Sequence, residues 1–137
     1  MRLKGFLALL LLLCVCLLSV GCGRGIKRGD AKETAEAFLA AVEKGDIESA
    51  RSYLHPQSPL DVEAYLDEIE ARRGIDFQKE IEIKRYTEYS SELYDSDVDG
   101  SEYELEMQIT VDGVPLRFGI EIVNNGFGYG IYKIDLE

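Results

Sequence analysis

The chain has 137 residues, with 15 lysines and arginines against 26 aspartates and glutamates and a formal net charge of −11. That length suits one domain of ordinary size and excludes two, and the acidity excludes a basic nucleic-acid binder. The averages conceal a division, because residues 1–21 hold 16 apolar residues and only two charges, Arg2 and Lys4, while everything after them carries −13.

The first segment reads as an address. A basic start is followed by an uncharged, leucine-rich run from Phe6 to Val20. Its 15 residues fall short of the ~20 needed to span a bilayer as a helix, which points to an export signal. Leu18-Ser19-Val20-Gly21-Cys22 resembles a bacterial lipobox, in which the cysteine receives diacylglycerol, is palmitoylated in many mature forms and becomes the first mature residue. Ser19 stands where an aliphatic residue is usual. Cys14 and Cys16 leave with the signal, so the exported part keeps one cysteine at its extreme end and no internal disulfide. Residues 22–29, with three glycines and the cations Arg24, Lys27 and Arg28, read as a flexible tether. The folded domain is expected over 30–137.

Within that domain Asp30 and Glu33 form a capping-box pattern ahead of Ala35, Phe38, Leu39 and Val42 at helical spacing, predicting a helix over 31–44. Gly45 suits a left-handed helix end, and Asp46 suits the cap of a short second helix carrying Ile47, Ala50, Tyr53 and Leu54, stopped by Pro56. Ser58, Pro59 and Asp61 mark a third start, with Val62, Tyr65, Leu66 and Ile69 as its stripe and Gly74 as its stop. After Phe77 the period becomes two. Ile81 and Ile83 begin one strand; Tyr103, Leu105, Met107, Ile109 and Val111 mark a second; Val114, Leu116, Phe118, Ile120 and Ile122 mark a third. Asp112-Gly113 and Asn124-Asn125-Gly126 supply the turns, and a last strand over 127–136 contains Gly128 and Gly130, which predict a bulge or tight bend. The expected fold class is α+β, with N-terminal helices on a curved four-stranded antiparallel sheet.

The stretch AEAFLAAVEKGDIESARSYLHP resembles the opening of nuclear-transport-factor-2-like domains of exported bacterial proteins, where one helix ends at Gly-Asp and a second near Tyr-Leu. The resemblance covers 30–136 and implies a cone-like wrap of sheet around the long helix. It names no catalytic residue, because the fold carries isomerases, dehydratases and binding domains alike.

Asp95-Ser96-Asp97-Val98-Asp99-Gly100, with Glu106 six residues on, satisfies the letter pattern of a calcium loop. Glu106 lies in an alternating strand pattern, and six extended residues carry it ~20 Å away. What remains is a weak Ca²⁺ site from Asp95, Asp97 and Asp99, against an acidic solvated hairpin tip. His55 is the sole histidine and precedes Pro56, which suits a capping or surface role. Without a second histidine or a free domain cysteine, Cys/His dyads and zinc sites are excluded. On the apolar faces of the second and third strands Tyr103 alone has a polar tip, so Tyr103, Tyr129 and Tyr132 are the residues to look for in a pocket. The glutamates at 80, 82, 102, 104, 106 and 121 line the wet face of the sheet, where they would suit a basic partner.

The expectation is a membrane-anchored envelope lipoprotein with a binding or interaction domain, its partner an envelope protein or a small ligand. The alternative is an isomerase- or dehydratase-type enzyme acting in the cone, and the third is a calcium-binding surface domain. An interior filled by Phe38, Leu39, Leu105 and Phe118 separates the first from the second.

Overall fold

The computed structural model describes residues 25–92 and 99–137. Aspartates and glycines set the helix boundaries. Helix α1 (Arg28–Glu43) closes with Gly45 at φ 69°, whose N–H donates to the Val42 carbonyl while the Asp46 N–H donates to that of Ala41. This paired closure is the Schellman arrangement, and it needs a residue free to adopt positive φ. Asp46 then caps α2 (Ile47–Ser52), accepting from the Ser49 N–H at 3.0 Å. Asp61 caps α3 (Val62–Arg73), accepting from the Ala64 N–H at 3.2 Å, and Gly74 ends it in the left-handed region.

Two helix starts differ from the sequence expectation. α1 begins at Arg28, because the Ala31 N–H already donates to the Lys27 carbonyl, so Asp30 sits in the first turn and caps nothing. The helix thus takes in Arg28 and Gly29, which the sequence assigns to the tether. Ser58 does not open α3; its hydroxyl donates instead to the Tyr132 carbonyl at 2.7 Å, tying the loop ahead of α3 to the sheet.

The strands β1 (Ile81–Glu92), β2 (Ser101–Val111), β3 (Val114–Asn125) and β4 (Gly128–Leu136) form one open antiparallel sheet in the order β1-β2-β3-β4. Asp112 (φ 51°) and Gly113 (φ 76°) make the β2–β3 turn, a left-handed pair that matches the twist of hairpin strands. The bulge expected in the last strand falls at Tyr132, the extra residue between the pairs Glu121↔Lys133 and Ile122↔Ile131. β1 carries two more, at Lys84 and Thr87. These keep Ile81, Ile83, Tyr86 and Tyr89 all turned toward the helices, partly buried against the core.

The core lies between the helices and this face. Ala31, Ala35, Phe38, Leu39 and Val42 of α1 and Val62, Leu66 and Ile69 of α3 meet Leu105, Met107, Ile109, Leu116, Phe118, Ile120 and Ile122. The alanines allow the helix to approach closely, and Phe38 stacks on Phe118 at 6.3 Å between centroids and 9° between planes.

The outer strands are tied differently. β4 is covered by the connection after α2: the His55 N–H donates to Ile131 O and the Ile131 N–H to Tyr53 O, both at 2.8 Å. A Cβ on Gly130 would lie 2.5 Å from the His55 nitrogen, so this approach requires glycine. β1 is held from the side by α1, which runs antiparallel to it. The Arg28 guanidinium sits 3.3 Å from the centre of the Tyr89 ring, Lys32 sits 4.1 Å from that of Tyr86, Glu36 accepts from the Tyr86 hydroxyl at 2.6 Å and Glu43 accepts from the Ile81 N–H at 2.6 Å.

Candidate functional site

Alternation along β2 and β3 sends one set of side chains inward and the other outward. Register then aligns the outward set into rows across the sheet. One row is Glu88–Glu106–Gly119–Asp135, and the next is Ser90–Glu104–Glu121–Lys133. Around these rows lies a concavity of 680 Å³, lined by Glu88, Glu104, Glu106, Glu121 and Asp135 with Lys133 as the single cation. Gly119 in the middle of its row has no side chain, which deepens the face at that point.

Neighbouring groups hold the carboxylates in place. Glu106 accepts from the Thr87 hydroxyl at 2.9 Å and lies 3.6 Å from Arg117, while Lys133 lies 3.7 Å from Glu121. Ligand-capable oxygens of Glu102, Glu104 and Glu121 come within 4.8 Å of one another, with Glu102 buried. These three are the described residues best placed to hold a cation. Like charges this close repel, so the face is complementary to positive charge. The rows of glutamates are legible in the sequence, but the convergence of Glu121 on Glu102 and Glu104 depends on register between two strands, which no local pattern reveals.

The tyrosines singled out from the sequence are not brought together. Tyr103 is buried on the inner face, where desolvation raises its hydroxyl above a tyrosine's ordinary value. Tyr129 is half-exposed in a shallow 520 Å³ groove with Asp30, Glu33, Thr34 and Tyr53, its hydroxyl 2.8 Å from that of Thr34. Burial raises it too, with the Thr34 bond opposing and Asp30 and Glu33 adding. Tyr132, the bulge residue itself, packs against His55 and lines a different groove, with Tyr65 and Lys133.

His55 is not on the surface, as its place before Pro56 suggests, but 2% exposed. Its Nδ1 accepts from the Gln57 N–H at 3.0 Å, which leaves Nε2 to carry the proton and donate to Asn125 Oδ1 at 3.0 Å and Gly128 O at 3.2 Å. Nε2 thus fastens the connection after α2 to the β3–β4 turn, while Nδ1 holds the local bend at Gln57, so both ring nitrogens are committed to structure. Of the calcium-loop residues, Asp95 and Asp97 lie outside the described residues, and Asp99 is exposed beside Gly100. Glu106 is well inside β2 and turned to the outer face, so it does not close a loop around Asp99. Cys22 and the leader also lie outside the described residues, and no helix among those described is long and apolar enough to cross a membrane.

No protein-family model, curated protein or solved structure matches this chain.

Proposed function

We propose that this chain is an exported lipoprotein of the cell envelope, held to a membrane through acylated Cys22, and that its domain is a binding module of the nuclear-transport-factor-2-like kind. The binding surface in this reading is the outer face of the sheet. The observation that carries it is the contrast between the two faces: Phe38 and Phe118 stack in the interior, whereas the 680 Å³ outer concavity presents five carboxylates and one lysine. The ligand best matched to such a face is a lysine- or arginine-rich segment of an envelope protein. Charge of this sign steers a basic partner and repels anionic ones, with an effect that weakens as salt rises.

The anchor is tested by intact mass of the membrane-extracted protein and by fractionation of Cys22→Ala. Acyl chains on a mature N-terminal Cys22, and loss of membrane retention in the variant, are the expected results. An unacylated mature chain, or unchanged retention of Cys22→Ala, overturns the reading.

A further inference from the structure

The described residues begin very close in sequence to Cys22. Ile26 packs against the core and α1 starts at Arg28, so only Gly23, Arg24 and Gly25 separate Cys22 from a residue fixed to the domain. Four residue steps span at most about 14 Å. A lipid-held Cys22 therefore keeps the N-terminal end of α1 at headgroup depth, and the domain cannot swing free on a long stalk.

The contacts of α1 say which end of the sheet this is. Arg28 meets Tyr89 late in β1, while Glu43 meets Ile81 at its start. The start of α1 therefore lies with the end of β1, the start of β2 and the β3–β4 turn. Tyr129 gives the same placement from β4 at the opposite edge of the sheet, through its hydroxyl 2.8 Å from that of Thr34 and 3.3 Å from the Asp30 carbonyl. At this end Phe127 in the turn is 72% exposed and Tyr129 at the start of β4 40%, and the third large apolar side chain exposed among the described residues, Val114, lies at the opposite end of β3. A phenylalanine so open in water, at the end nearest an acyl anchor, is suited to burial at the acyl boundary, and Tyr129 close by is of the amphipathic aromatic type that settles at membrane interfaces.

We infer that the β3–β4 turn is a membrane-contacting tip, with Phe127 entering the boundary between headgroups and acyl chains, an inference that rests on the lipid anchor proposed above. Exposed Lys27 flanks the tip, while Asp30 and Glu33 in the first turns of α1 keep the contact confined to it. The face with the glutamate rows then stands beside the membrane and open to the periplasmic or external space.

The chain contains no tryptophan, so Phe127→Trp and Val114→Trp each introduce a single reporter. Both full-length variants are produced in a host that processes lipoproteins and reconstituted into phosphatidylcholine vesicles with brominated acyl chains, and an intact mass is taken on the same samples. The expected result is a blue-shifted indole emission in Phe127→Trp that the bromolipid largely quenches, beside an unshifted, unquenched emission in Val114→Trp. An acylated sample in which the reporter at position 127 is not quenched, or in which the one at position 114 is quenched equally, overturns the membrane-contacting tip and leaves the anchor standing. A mature chain without acyl groups overturns the anchor and the tip with it.

Discussion

Adjacent residues of β3 belong to different chemical worlds. Phe118 is fully buried and stacked on Phe38, while Arg117 and Gly119 on either side of it face outward among carboxylates. The inner face is specified by volume and the outer by charge. Inner positions therefore hold the fold together, and outer ones can change with little cost to packing. Phe118→Ala removes a stacked ring from a closed core and should cost about 3–5 kcal/mol in urea unfolding, whereas Arg117→Ala next to it should stay within about 0.5 kcal/mol. Similar losses at both positions would break the distinction between the faces.

Glycines sharpen the same contrast. At Gly130 an added Cβ meets the backbone of Leu54 and His55 at 2.5 Å, so Gly130→Ala should cost about 1–3 kcal/mol by forcing the connection after α2 away from β4. At Gly119 the nearest atom to a new Cβ is Asp135 Cβ at 3.7 Å. Gly119→Ala should then be neutral or stabilising by about 0.5 kcal/mol, as expected for glycine removed from a strand interior, while partly filling the outer concavity. Urea midpoints of the two variants give the comparison directly.

The capping aspartates, the left-handed glycines and the two-residue alternation of β2 and β3 made most of the architecture readable from the sequence. β1 was only partly readable. Its inward residues fall at 81, 83, 86 and 89 because Lys84 and Thr87 bulge out, and that spacing is neither the period of a strand nor that of a helix. The early start of α1 is hidden for a related reason: Arg28 looks like part of a tether until β1 places Tyr89 beneath it. His55 was misplaced because its burial depends on a tertiary contact with Asn125, 70 positions away. In the candidate site, the outward glutamates were legible but their cross-strand convergence was not.

Smaller effects test the charges. Glu104 is paired directly with Glu121 across the sheet, so Glu104→Gln should change stability by less than about 0.5 kcal/mol, in the stabilising direction at low salt and fading as salt rises. A large loss of stability would mean that the outer face is structural after all. At the edge of the inner face, burial alone would raise the Tyr89 hydroxyl, but Arg28 and Lys32 outweigh it and hold it below a tyrosine's ordinary value. Because the cations favour the phenolate, ultraviolet titration should show one tyrosine ionising ahead of the partly buried Tyr86 and the buried Tyr103, whose hydroxyls are raised by desolvation. In Arg28→Gln the early ionisation should move up. In wild type this contact should add stability as the pH rises from the folded value of Tyr89 toward 10, since the unfolded chain holds that proton longer.

The most direct test of the two-faced sheet is a nuclear magnetic resonance titration of the leaderless chain carrying Cys22→Ser with a lysine-rich peptide at low and high salt. The account predicts shifts centred on the amides of Glu88, Glu104, Glu106, Gly119 and Glu121, suppressed by salt and weakened in Glu104→Gln, with the amides of the α1–β4 groove around Thr34 and Tyr53 unmoved. Shifts confined to that groove, or none on the outer face at low salt, would contradict it.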